Sequence, residues 1–198
     1  MAHLSVNQLV SETRKAMLGT GYHFGVADDI ARAAQWLSAH GFVPSDELLA
    51  LMNADSKPEP MRPVIDGQHV LLEGAVGLAD VMAGLDFCEA FEAAGFSLKG
   101  LLYPNLSRAL IALRASPPTG RFALDEGAML SSLIGSAKAE IDLVRCGFAP
   151  DLPEAWPARI TIDDDCYEML KKRAFETYVP SSEKSRAAGA GAGLNDND

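Results

Sequence analysis

Between Val26 and His40, small and apolar residues recur at helical spacing: Ala27, Ile30, Ala31, Ala34, Leu37 and Ser38. Positions three and four apart lie on one side of a helix. Alanines on that side let a second helix approach closely, and an apolar stripe of this width has to be covered. The pattern therefore dictates helix packed on helix. Trp36 adds a large anchor on a neighbouring face, and Gly41 is a natural residue just past the helix end. The partner helix is directly upstream. Val6, Leu9, Val10, Thr13, Met17 and Leu18 trace a second stripe. Ser5 or Asn7 suits its start, and Gly19 with Gly21 stops it. A third, short helix follows Pro44, with Ser45 as its cap. The first 54 residues thus predict an antiparallel helical hairpin with one extra turn of helix. A helix-turn-helix DNA reader is excluded, because the second helix opens with Asp28 and Asp29 and carries only Arg32 as a base.

The stretch ADSKPEPMRP is a polar, proline-rich connection. Beyond it, Val64 and Ile65, the turn pair Asp66-Gly67, and His69 to Leu72 read as a β-hairpin. From Leu78 to Ala94 the pattern Leu78, Val81, Met82, Leu85, Cys88, Phe91 is helical again, although Gly84 weakens it by about 1 kcal/mol relative to alanine. Pro104-Asn105 opens another helix, LSRALIALRA. The segments RFALDE, GAMLSSLIG and AEIDLVRC read as strands, and Ile160 and Ile162 in ARITI mark the clearest one. Asp163, Asp164 and Asp165 then open a helix reaching about Glu176, with Lys171, Lys172 and Arg173 in its later turns. Both clusters complement the helix dipole, although three adjacent carboxylates also suit a hard cation. No repeat of fixed period is present. The expected fold is α+β in one domain, 1–198. It has a helical region over 1–55, a core with a small mixed or antiparallel sheet over 56–177, and a motif tail over 178–198.

Charge narrows the function. The net charge is −10 and the pI about 4.8. A nucleic-acid or anionic-membrane binder needs a basic face, which this balance does not supply. Cys88, Cys146 and Cys166 are odd in number and far apart, the usage of a reducing compartment. No signal peptide is apparent, and no window approaches the roughly 20 apolar residues of a membrane span. A cytoplasmic protein is expected. Serine-hydrolase elbow, P-loop, HExxH and zinc-spaced Cys/His pairs are all missing. His3, His23, His40 and His69 fall at unrelated spacings. In GTGYHFGVADD, Gly19, Gly21 and Gly25 free the backbone around Tyr22, His23 and Phe24. The loop has two readings: amides at the start of the second helix hold an anion, opposed by Asp28 and Asp29, or the aromatics plug a helical turn.

The segment YVPSSEKSRAAGAGAGLNDND is the other candidate. Glu183 and Arg186 are three apart, close enough to pair on one helical turn. Gly189, Gly191 and Gly193 alternate with alanines; with no helix to follow, they form no dinucleotide loop, but successive amides can make an anion nest. Asp196 and Asp198 bring carboxylates together for a cation or for a partner's basic residues. Composition alone describes a frayed end.

These residues carry a resemblance. Tyr178-Val179-Pro180-Ser181-Ser182-Glu183, Ser185-Arg186, the GAGAG run and Asp196-Asn197-Asp198 resemble the closing signature of a proteobacterial family of unknown function. The N-terminal helix, its Gly-rich Tyr/His/Phe turn and the helix through Trp36 resemble the start of the same family. The resemblance implies that the tail is more than linker, and it brings no mechanism. The first hairpin is also similar to that of NAD(P)-dependent malate/lactate-type dehydrogenases. This chain has Ser38-Ala39-His40-Gly41 where those have Ser-His-Gly, so no catalytic role transfers.

The function expected is a small-molecule-binding or metabolic accessory protein, acting as a homodimer. Ser182, Glu183, Ser185, Arg186 and the glycine amides would form the site, with Arg186 on a small anionic metabolite. One alternative is a divalent-metal-assisted enzyme on a small carboxylate or phosphate, with Tyr178, Glu183 and His23 as acid/base groups and Asp196 and Asp198 on the metal. The other is an interaction module whose acidic tail docks on a partner. No cofactor is specified.

Overall fold

The computed structural model describes residues 1–54, 61–114, 122–124, 130–145 and 155–177. The tail 178–198, Cys146 and most of the RFALDE and GAMLSSLIG surroundings lie outside them.

The protein is α+β. Strand β1 (Ala2–Ser5) leads into helix α1 (Val6–Gly19), then α2 (Phe24–Ala39) and α3 (Ser45–Asn53). The hairpin β2 (Val64–Asp66) and β3 (His69–Val76) follows, then α4 (Leu78–Ala90), β4 (Gly95–Leu101) and α5 (Pro104–Arg114). After β5 (Phe122–Leu124) come a 3-10 turn, Leu130–Leu133, and β6 (Glu140–Arg145). Strand β7 (Arg159–Ile162) and α6 (Asp164–Phe175) complete the described chain.

The N-terminal layer forms as its stripes dictate. Ser5 caps α1 in a reciprocal box: its hydroxyl accepts from the Gln8 amide and its own amide donates to Gln8 Oε1. The whole predicted face of α2 is buried, together with Trp36 at 0% exposure. Helix α1 packs on both α2 and α6. The approach to α6 is so close that a Cβ on Gly19 would meet the Arg173 carbonyl oxygen at 1.9 Å. Three details differ from expectation. The first residues form a strand, pairing antiparallel with β7 from Ala2↔Ile162 to Ser5↔Arg159. Pro44, not Ser45, holds the cap position of α3. The described part of GAMLSSLIG opens with a 3-10 turn over Leu130–Leu133 instead of a strand, because Leu130, Leu133 and Ile134 are spaced three and four apart and not alternately.

The larger sheet runs β2-β3-β4-β6-β5. Only β3 and β4 are parallel, and α4 makes the crossover that a parallel pair needs. Val70, Leu72, Phe96, Leu98, Ile141 and Leu143 share the buried face. Helix α4 lies against it with Gly84 in contact, where a Cβ would stand 2.5 Å from Phe96 Cζ and 2.9 Å from Leu72 Cδ1. The glycine that weakens the helix locally is therefore what lets it sit close to the sheet. No described helix is long and apolar enough to cross a membrane.

Candidate functional site

The described polar groups converge most densely where α3, α5 and the loop after the 3-10 turn meet. The first amides of a helix have no partner inside it. Those of α5 are taken by a carboxylate from another helix. Glu47 Oε1 accepts from the Asn105 amide at 2.9 Å and from Asn105 Nδ2 at 2.8 Å, and Oε2 accepts from the Leu106 amide at 2.8 Å. A negative charge at a helix N-terminus is favourable, more so when partly buried. Asn105 Oδ1 in turn accepts from the Gly135 amide at 2.8 Å and from Arg108 Nη1 at 3.3 Å.

Arg108 is fully buried. Its Nη1 donates to the Leu133 and Ser136 carbonyls, both at 2.9 Å, and its Nη2 donates to the Lys138 carbonyl. Burial lowers the guanidinium pKa, and the nearby Glu47 charge opposes that shift. A buried cation needs this degree of satisfaction to persist. The arrangement pins the 133–138 loop to α5 and α5 to α3.

A cleft of about 410 Å³ opens over this joint. Phe42, Val43, Pro44, Asn105 and Ser136 line it. Asp46, Glu47 and Asp163 line it too, and among the described residues no lysine or arginine does. Each acid sits at a helix start: Asp46 and Glu47 in the first turn of α3, Glu47 also on α5, and Asp163 at the cap position of α6. The positive helix ends thus already face carboxylates, so the cleft disfavours anions.

Neighbouring groups are held in their protonated forms. The Ser45 hydroxyl, expected as a helix cap, instead hydrogen-bonds the Cys166 sulfur. Burial, with Asp163 next in weight, pushes the Cys166 thiol up to about 12. Burial and then Tyr103 push Tyr22 up to about 12, and burial and then Glu47 raise Tyr103. The raised values disfavour the thiolate and phenolate forms that a nucleophile or base would need.

A second constellation crosses three strands of the sheet. His69 Nε2 lies 2.8 Å from Ser97 Oγ, and the Ser97 hydroxyl donates to Asp142 Oδ1. Ser97 has one proton, and Asp142 takes it, so His69 has to donate through Nε2. That polarity is the reverse of a hydrolase triad, in which histidine accepts the serine proton. The imidazole lies over Gly95, where a Cβ would meet Nδ1 at 2.2 Å.

Of the residues expected to form the ligand, acid/base or tail-metal site, His23 alone lies among the described residues. It occupies the cap position of α2, is exposed, and makes no capping bond with its side chain. In the same loop Tyr22 packs against the core while Phe24 is exposed. Asp28 pairs with Arg14 and Arg32, and Asp29 with Arg114 at 3.6 Å. Tyr178, Ser182, Glu183, Ser185, Arg186, Gly189, Gly191, Gly193, Asp196 and Asp198 lie outside the described residues. Among the described residues no three His, Cys, Asp or Glu side chains are placed to hold a metal, and Asp163–Asp165 open α6.

The joint itself was not read from sequence. Its available signals were the Pro104-Asn105 helix start and an arginine, Arg108, between Leu106 and Ala109 in an otherwise apolar stripe.

No curated protein and no solved structure matches the chain. One family model matches residues 4–70, about a third of the chain, and is described as a protein of unknown function (DUF3726). That stretch supplies the α3 wall of the cleft, whereas the α5 wall and the C-terminal signature fall beyond it. Over its N-terminal third, then, the chain is similar to a family whose function is uncharacterised.

Proposed function

We propose that the protein is a small-molecule-binding protein whose ligand is a small organic cation held in the α3–α5 cleft. One observation carries this reading: among the described residues three carboxylates line the cleft and no basic side chain does. A protonated amine would meet the exposed Asp46 and Asp163, its carbon skeleton would lie on Phe42 and Val43, and its other polar groups would reach Asn105 and Ser136. The cleft lining is part polar and part apolar, so it offers apolar contact and several polar groups together. The thiol and phenol groups nearby stay protonated, which favours holding a ligand over transforming one.

Calorimetric titration with short alkyl amines, diamines and amino alcohols tests it. The Asp46→Asn/Asp163→Asn double variant should bind at least about tenfold more weakly, the loss of two charge-assisted contacts. Equal binding by the variant, or no amine binding to the unaltered protein, would sink the reading. The anion-binding role expected for Arg186 is a separate proposal: small carboxylates titrated against Arg186→Ala test it in the same instrument.

A further inference from the structure

The cleft over the joint lies at one end of β7. Beyond the other end is an open groove of about 350 Å³, bounded by Ser5 and Asn7 at the start of α1, Gln35 on α2, and Trp156 to Ala158. The four residues of β7 separate the two, roughly 13 Å of extended chain. Nothing in the joint extends into this groove.

The two tryptophans of the protein differ sharply. Trp36 is fully buried, whereas Trp156 is 50% exposed. An exposed indole presents a wide flat apolar face together with one N–H donor. Asn7 and Gln35 line the same groove, and their side-chain amides make no hydrogen bond among the described residues. Each offers two donor hydrogens and an acceptor oxygen. Among the described residues no charged side chain lines the groove, on a protein whose net charge is −10.

The walls are also fixed in place. The capping box with Gln8 holds Ser5, and pairing of Ser5 with Arg159 ties the start of α1 to the strand that follows Trp156. Pro157 restricts the backbone on either side of the indole. Gln35 stands beside the immobile Trp36. A preformed site loses less freedom on binding.

Among the described residues the groove offers a flat aromatic face, two carboxamides without a partner and no charge, and together these select the ligand class. A charged ligand finds no counter-charge among them. A purely apolar one leaves the carboxamides desolvated and unpaired, which is unfavourable. A sugar ring satisfies all three features, because its C–H face stacks on indole and its hydroxyls both donate and accept. We infer that this groove binds a neutral saccharide, with Trp156 as the stacking platform and Asn7 and Gln35 reading the hydroxyls.

Acrylamide quenching of tryptophan fluorescence in the full chain provides the test, because Trp36 is shielded and Trp156 is not. Glucose, galactose, maltose and cellobiose are the probes, with adenosine as the competing flat ligand. At least one sugar should protect Trp156 from quenching in a saturable way. Calorimetry on that sugar should show binding weakened about tenfold or more in Trp156→Ala and in Asn7→Ala/Gln35→Ala, and largely kept in Trp156→Phe. Circular dichroism melts of each variant show that it folds, and the surface position of Asn7 keeps the double variant informative if Trp156→Ala does not. The inference is overturned if no sugar protects Trp156, if adenosine alone protects it, or if the folded variants bind as tightly as the unaltered protein.

Discussion

In the helical layer, both sides of the contact are closed. Ala27, Ile30, Ala31 and Ala34 are fully buried, and the α1–α6 approach leaves no room for a methyl group at Gly19. In the sheet, one face is closed by α4 and the other is not. Leu71 is half-buried there, and Asp142, Val144 and Val64 are exposed. The lesson concerns where polar groups are affordable. The open face can carry His69, Ser97 and Asp142, because water reaches part of that cluster. The closed region holds the Arg108 charge by turning three carbonyls and the Asn105 side chain toward its terminal nitrogens, while Nε has no partner among the described residues. Arg108 and Glu47 lie where the two layers join, and the candidate cleft opens above them.

Removing that joint should have the largest effect. Arg108→Ala leaves a cavity, three unpaired carbonyls and a disturbed Glu47, and should cost about 3–5 kcal/mol in urea denaturation. A loss below about 1 kcal/mol would mean that the layers are held together elsewhere.

The two close approaches should separate next. Gly19→Ala sets a methyl against the Arg173 backbone, which has little room to yield, and should cost about 1–3 kcal/mol. Gly84→Ala meets only the ends of Phe96 and Leu72, and alanine returns about 1 kcal/mol of helix propensity, so its net cost should be smaller. If Gly84→Ala proves the more damaging in thermal melts, the sheet is the tighter of the two layers.

The smallest effect is alkaline. Tyr22 and Cys166 have folded pKa values near 12, above their ordinary 10.0 and 9.0. The unfolded chain therefore loses these protons first, and stability should be intact below pH 9 and fall between pH 9 and 12. Tyr22→Phe should flatten the fall above pH 10 and leave the part below it, seen as melting temperature against pH. An unchanged profile would mean that Tyr22 is solvated like a free phenol.

Much of the helical layer was legible because its signals are local. Six residues of α2 declare one face within four turns, and of the two residues suited to start α1, Ser5 and Asn7, it is Ser5 that caps it. The strands β1 and β4 were not legible. Strand β1 has four residues and its partner is Arg159–Ile162, so no nearby turn announces it. In β4, Phe96 and Leu98 alternate correctly, but Gly95, Lys99 and Gly100 dilute the pattern, and all of its pairing is with distant strands. The cleft was hidden for the same reason. Glu47 and Asn105 are 58 residues apart, and neither residue looks unusual until the fold brings them together. Arg108 could have been suspected, since an arginine in an apolar stripe requires a partner.

The pairing of β1 with β7 bears on synthesis as well as shape. Ala2 is made long before its partner Ile162, so the α1–α2 hairpin leaves the ribosome without α6 or β7 to cover its second side. Closing a loop of that length delays folding much more than it weakens the finished protein. During that interval the face of α1 that α6 later covers is open to water, and exposed apolar surface of this kind is what a helix-holding chaperone recognises.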